Sequence, residues 1–372
     1  MTTKCITAAV GIALAASQPT NAAEPVFGSW TPAQEYQNRV AMPEVFRNID
    51  KDTNGAIKWK LIPGGQVADG KSTFSAVKDG LMQAGLAIVT YVPNALPSVY
   101  AIYSTAIFGE SDPVAASAAT AETILLHCPS CLEELKAHNA VNLAWWTTSA
   151  YVLTCREPLR TLADLKGKRV RATGGNAEML KQAGMVPVGA TLVEAVGLLQ
   201  RGGIECQHGI IDWNRTFGYA DVAKYVMDYP LGLTGPALGF FLNRDTWKSF
   251  TPEQKKIHLK HGTWLSAKMA IGNFIISNEE ALNTIVSTKG VQVVKVGNAF
   301  DPVVDNYKKA QRDTNIATAK SFGVKDPAPI IDYYEKAVER WRVKSKAIGR
   351  DIDKFADVLT QEIFSKVDVD KL

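Results

Sequence analysis

Between Thr161 and Cys206 the chain repeats one local pattern, a capped helix closed by glycine and followed by a short strand. Thr161-Leu-Ala-Asp164 reads as a capping box opening a helical turn, in which each end of the motif satisfies a backbone N–H of the other. Gly167 closes that turn, and Lys168-Arg-Val-Arg171 reads as a strand. Gly174-Gly175 then lead to Asn176, a good N-cap, and a helix ending near Gly184. Val186-Pro-Val188 is a second strand, Thr191-Leu-Val-Glu194 a second capping box closed by Gly202-Gly203, and Ile204-Glu-Cys206 a third strand. An earlier block has the same order. A strand over 56–62 follows the turn Asn54-Gly55 and is stopped by Pro63-Gly64-Gly65; a helix then runs from Ser72 to Asp79 with Gly80 at its end, and a strand from Leu86 to Val89 follows. Alternating strands and helices predict parallel sheets covered on both faces, and two blocks separated by about a hundred residues predict two α/β lobes.

The C-terminal third is mostly helical. Thr251-Pro-Glu-Gln254 combines an N-cap, a proline at the first helical position and a glutamine at the third. The segment then continues to about Ser287, on the order of 50 Å at 1.5 Å per residue, long enough to brace both lobes. Residues 329–364 are again helical and charged.

The start of the chain has the three-part pattern of a secretion signal. Lys4 precedes an apolar run from Ile6 to Ala16, and Ala22-Ala23 supply the small residues of a cleavage site. The apolar run is roughly ten residues, half of what a membrane span needs. Cleavage after Ala22 or Ala23 is expected. Loss of Lys4 with the leader takes Lys+Arg from 41 to 40 against 37 acids, with no basic cluster, which excludes nucleic acid as a partner. It also removes Cys5, leaving four of the five cysteines. In an oxidising compartment an even count favours disulfides, and Cys128-Pro-Ser-Cys131 reads as a local disulfide or two free thiols.

The sequence offers little for catalysis. It has no G-x-S-x-G, H-E-x-x-H or G-x-x-x-x-G-K-[ST] motif. His258 and His261 share a helix face, but no third metal ligand is evident nearby, and a solvated face is the expectation. The strongest binding feature is Arg171, at the carboxyl end of a predicted strand, where ligands of open α/β sheets collect. Gly174-Gly175 and a helix N-terminus follow it, a setting that favours an anion, and a guanidinium captures a carboxylate at two points. The alternative is an arginine paired with a surface acid. Trp30, Tyr91, Trp146, Tyr151 and Trp213 fall near the same strand ends, and His208 follows the third strand. Flat, rigid faces around a charged anchor suit a small-molecule cleft.

The stretches Thr53-Asn-Gly-Ala-Ile57, Pro63-Gly-Gly-Gln66, Val77-Lys-Asp-Gly80, 158–171, Glu194 to Gln200 and Phe241 to Trp247 occur in one order over residues 28–340. Together they resemble the DctP-type substrate-binding proteins of tripartite ATP-independent periplasmic (TRAP) transporters. The element Pro-x-x-x-Leu-x-Asp-Leu-Lys-Gly-x-x-Val-Arg, ending at Arg171, is the most specific. The resemblance implies a periplasmic-binding-protein-like α/β fold, with two lobes joined by crossing strands, a bracing helix and a cleft. It also implies a carboxylate clamp at Arg171 and delivery to TRAP membrane permease subunits in the periplasm. The run Glu205-Cys-Gln-His-Gly209 departs from the family's metal-coordinating Glu-Trp and from its Asp-Gly-Gln-Glu-Asn, against a metal-assisted or sialic-acid-like pocket.

The resulting expectation is a monomeric receptor for a small organic acid, without cofactor or metal. Residues 1–23 form the signal, 24–149 with about 237–276 one lobe, and 150–236 with about 277–340 the other; 341–372 form a helical extension. The ligand contacts are Arg171, Trp213, Tyr91, Tyr151, Trp30, Trp146 and His208. The alternative is an exported enzyme, for which only Glu205 and His208 suggest a catalytic pair, or a chemosensory binding protein of the same architecture.

Overall fold

The computed structural model describes residues 24–109, 112–369 and 372, so the leader lies outside the described residues. The strands are β1 (Val26–Gly28), β2 (Lys60–Ile62), β3 (Ala84–Ile88), β4 (Ala140–Asn142), β5 (Trp145–Trp146), β6 (Val152–Cys155), β7 (Arg169–Arg171), β8 (Val186–Val188), β9 (Cys206–Gly209), β10 (Tyr225–Met227), β11 (Ala237–Asn243) and β12 (Gln292–Val294). They form two sheets. One has the order β2-β1-β3-β11-β4, with β5 also paired to β11; the other has the order β12-β10-β6-β9-β7-β8.

The sheets are mixed, which corrects the expectation of parallel sheets. β1 runs parallel to β2 and β3, and β7 parallel to β8 and β9. β11 is antiparallel to β3, β4 and β5, and β6 is antiparallel to β9 and β10. The exceptions are the strands that enter a sheet from the other half of the molecule. Residues 147–151 lead from β5 in the first sheet to β6 in the second, and 228–236 lead from β10 back to β11. These two segments hydrogen-bond to each other: Thr148 N donates to Thr234 O at 2.8 Å and Leu231 N to Tyr151 O at 2.8 Å. The connection between the sheets is thus itself a two-stranded ribbon.

All three expected capping boxes form, at Thr161/Asp164, Thr191/Glu194 and Thr251/Gln254. The glycines at the ends hold the left-handed conformation their role requires, with φ of +75° at Gly167 and +69° at Gly202. Several boundaries differ, among them the strand expected from Leu86 to Val89, which runs Ala84–Ile88. The helix expected at Asn176 begins at Gly174, and Asn176 is buried in its first turn. The third strand starts at Cys206 rather than Ile204, because Gly203 N and Ile204 N still bond Leu198 O and close the preceding helix. In the first block only Lys60–Ile62 of the expected 56–62 joins the sheet.

The long helix runs Pro252–Ala267, widens into a π-helix over Lys268–Ser277 and continues as Asn278–Lys289. Its first part packs on the helix Met42–Asp52 and its last part on Asp212–Thr216, so it braces both halves. The C-terminal helix Ala328–Ile348 lies on Pro113–His127 and Pro97–Gly109, and Ile352–Glu362 packs on the start of the long helix. The extension therefore thickens the first-sheet half.

Cys128 bonds Cys131, and Cys155 bonds Cys206. The second bridge joins directly opposed residues of β6 and β9 and ties a 51-residue loop. A covalent link of that span restricts the unfolded chain. Replacing Cys155 and Cys206 together by serine is expected to lower unfolding free energy by about 2–5 kcal/mol in urea titrations. Unchanged stability would show that the bridge adds nothing.

Candidate functional site

A cavity lies among elements of both sheets. It is lined by Trp30, Tyr91, Trp146, Tyr151, Arg171 and Trp213, six of the seven residues singled out from the sequence. Trp30 follows β1, Tyr91 follows β3 and Trp146 ends β5; Arg171 ends β7 and Trp213 stands in the short helix after β9. The sheet arrangement explains the convergence. Strand ends of both sheets open toward one space, roofed by the crossing residues Thr148, Thr234, Gly235 and Pro236.

Arg171 is 3% exposed. Its Nε donates to Ala190 O at 2.8 Å and its Nη2 to the Tyr91 hydroxyl at 3.3 Å. Its electrostatic surroundings are dominated by the hydroxyls of Tyr91, Tyr151, Tyr219 and Tyr103. Burial opposes its charge, and those oxygens more than offset this, so its pKa lies above the ordinary arginine value. No carboxylate of the described residues forms an ion pair with it, which removes the alternative of a surface ion pair. Tyr91 oxygen also accepts from Leu192 N at 3.3 Å, so its lone pairs are used and its own proton is left to donate. Burial raises the pKa of Tyr91, and that of Tyr103 to about 12, so both remain protonated donors.

The aromatic walls are fixed by close packing. Trp30 meets Tyr91 edge-on at 5.8 Å, and its Nε1 donates to Leu86 O at 2.9 Å. Tyr151 meets Trp213 at 5.2 Å. Trp146 lies flat over Gly239, where a Cβ would collide with the indole, so only glycine fits beneath that ring. Gly209 serves Trp213 in the same way: a Cβ there would stand 2.6 Å from the indole Cε3.

His208 is a correction. It is buried on β9 but does not line the cavity; Tyr151, which does, packs edge-on against it at 5.0 Å. β9 is an interior strand, and the crossing segment covers it. Burial, helped by the Arg171 charge, depresses the His208 pKa to about 3, so it is neutral. The suggested Glu205–His208 pair does not form either, since Glu205 is engaged with Arg169, whose Nε donates to it at 3.1 Å. The glycine pair 174–175 lines a different cavity, with Tyr100, Glu178 and Tyr307, so that helix start does not face the Arg171 cavity. His258 and His261 are buried rather than solvated. His258 Nε2 accepts from Trp59 Nε1 at 2.9 Å, and its Nδ1 lies 2.7 Å from Gln254 O, while His261 pairs with Asp52 at 2.9 Å. Among the described residues no cluster of three metal-ligating side chains occurs. None of their helices is long and apolar enough to cross a membrane.

The sequence reading missed a polar group at this cavity, made of Glu35, Gln37 and Asn273. Glu35 is 5% exposed; its Oε1 accepts from Trp213 Nε1 at 3.2 Å and its Oε2 weakly from Gln37 N at 3.4 Å. Burial and then the nearby Asp212 carboxylate raise its pKa from 4.5 to about 7. Nothing in the segment after β1 marks Glu35. Asn273 did leave a signal, as a polar residue inside the apolar run Met269 to Ile276.

A charged anchor enclosed between two sheets, with aromatic walls from both, defines a protein that captures a small ligand. The chain belongs to bacterial extracellular solute-binding protein family 7, the DctP family, whose model matches residues 28–309. Solved structures share the fold. A marine-metagenome TRAP solute-binding protein, described as specific for aromatic acids and bound to 3-hydroxybenzoate, is 18% identical. The match covers 87% of this chain and 99% of that one, with a TM-score of 0.75. A TRAP protein of Bordetella bronchiseptica with bound (R)- and (S)-mandelate is 20% identical over 86% of this chain and 99% of that one, with a TM-score of 0.72. One from Rhodoferax ferrireducens T118 with copurified benzoate is 15% identical over 87% and 99%, with a TM-score of 0.74.

Glu35 gives the folded protein a pH dependence. A carboxyl held above 4.5 keeps in the folded chain a proton that the unfolded chain has lost. The cost of ionising it in the folded chain begins near pH 4.5, grows as pH rises and is complete above about 7. Glu35→Gln is therefore expected to stabilise the protein more at pH 8 than at pH 5, by on the order of 3 kcal/mol in urea titrations. An equal effect at both pH values would contradict the raised pKa.

Proposed function

We propose that this protein is an exported receptor that captures a small organic acid and presents it to a TRAP membrane permease. The observation that carries the reading is Arg171, a buried guanidinium with no carboxylate partner among the described residues, at an aromatic-walled cavity. A buried unpaired charge costs several kcal/mol, and a carboxylate held by two parallel hydrogen bonds offsets that cost. The neighbours titled with mandelate, benzoate and 3-hydroxybenzoate all carry such a group.

In this reading the two sheets are the cores of two lobes, residues 24–149 with 237–276 and 150–236 with 277–340. The ligand enters between them; Arg171 takes the carboxylate, Tyr91 adds a hydroxyl donor, and Trp30, Trp146, Tyr151 and Trp213 hold the body. Closure excludes water, which strengthens the ion pair. Contacts across the mouth support a closed form, with Lys71 Nζ 2.8 Å from Glu194 Oε1 and Tyr91 on Leu192 N. The leader is removed after Ala22 or Ala23, and the receptor acts as a monomer in the periplasm.

Arg171→Ala is expected to weaken binding of the organic acid by at least about tenfold, ~1.4 kcal/mol, while the circular dichroism spectrum is retained. Arg171→Lys is expected to restore only part of the loss, because a lysine lacks the planar fork. A ligand found by thermal-shift screening of an organic-acid library supplies the calorimetric titrant. Unchanged affinity in Arg171→Ala would remove the anchor role.

A further inference from the structure

The polar group formed by Glu35, Gln37 and Asn273 has no part in carboxylate capture. Arg171 stands on the second sheet, whereas Glu35 and Gln37 follow β1 of the first and Asn273 belongs to the π-helical part of the long helix. Trp213 spans the interval: its ring meets Tyr151 on the arginine side, and its Nε1 donates to Glu35 on the other. The strongest charge acting on Glu35 is that of Asp212, not Arg171. Trp30, Trp146, Trp213 and Phe274 give the same cavity a broad apolar wall, alongside the hydroxyls of Thr90 and Thr148.

Gln37 Nε2 and Asn273 Oδ1 are buried and make no hydrogen bond among the described residues. Both residues are at most 2% exposed and both line the cavity. Buried polar groups without partners are costly, and two at one end of a binding cavity point to a ligand group that satisfies them. The group must accept from an amide N–H and donate to an amide oxygen or to Glu35. A hydroxyl does both. An ammonium only donates and leaves the amide N–H unmet. A second carboxylate only accepts and leaves the amide oxygen unmet.

We infer that the ligand is a planar, aromatic monocarboxylate carrying a hydroxyl at the end remote from its carboxylate, and that Glu35, Gln37 and Asn273 select for that hydroxyl. The inference rests on Arg171 being the carboxylate anchor. A site built to bond a hydroxyl discriminates against the analogue lacking it, because its own polar groups are then left unpaired.

The test is titration calorimetry with matched probes: benzoate and phenylacetate, each against its 3- and 4-hydroxy derivatives. At least one hydroxylated member is expected to bind about tenfold or more tighter than its parent. In Gln37→Met and Asn273→Leu the preference within each pair is expected to fall to about twofold or less. Equal binding within every pair overturns the inference. So does tighter binding of terephthalate or of 4-(aminomethyl)benzoate, or failure of all the probes to bind. The wild-type comparison decides even if a variant does not fold. Arg171→Ala separates the two readings. If it weakens all the bound acids but no pair shows a preference, only the hydroxyl subsite fails; if it leaves every affinity unchanged, the anchor fails with it.

Discussion

The molecule is organised around a guanidinium that is taken out of water with no acid among the described residues to balance it. Arg171 keeps its charge because its Nε rests on Ala190 O and because tyrosine oxygens surround it. Those contacts fix the head of the side chain before any ligand arrives, which lowers the ordering cost of binding. They also join the halves, since Tyr91 comes from the first sheet and receives bonds from Arg171 and Leu192 N of the second. The same hydroxyl therefore joins the two halves and stands at the wall of the cavity.

The long helix supplies the other constraint. An uninterrupted α-helix would carry its apolar stripe past both halves. The π-helical stretch Lys268–Ser277 inserts wider turns where the helix passes the cavity, and Met269, Asn273 and Phe274 line it there. π-Turns are rare and are found mostly at functional sites. Gly272, in the same stretch, lies against Tyr36, where a side chain would collide with the phenol. The brace and the cavity wall are thus one element.

The legible parts of this fold were those governed by local rules. Capping boxes at Thr161, Thr191 and Thr251 and glycine stops at Gly167 and Gly202 are short-range chemistry, and all appear where the residues place them. Strand direction was not legible, because β11 and β6 pair with strands far away in sequence, and their antiparallel sense is set by the path of the crossing segments. The site was half legible. Arg171 and the aromatic residues stand at strand ends that a pattern reading can locate. Glu35 stands at a bend and Gln37 opens the π-helical turn Gln37–Ala41, and their burial follows from packing against the long helix and Trp213. His208 read as a cavity residue because its position after an apolar strand resembled the others; the true strand extends through it and places it beneath Tyr151.

The exchange of strands between sheets has a consequence for how the chain comes to exist. In the first sheet β4 pairs only with β11, and β11 is synthesised after every strand of the second sheet except β12. The second sheet in turn lacks its edge until residue 294. Neither half is a contiguous stretch that can finish while the rest is still being made. A nascent chain of this design stays without a completed sheet through most of its synthesis, the condition in which a polypeptide can still be threaded end-first through a narrow channel. The interleaving that builds the cavity walls thus also defers completion of either sheet until late in the chain.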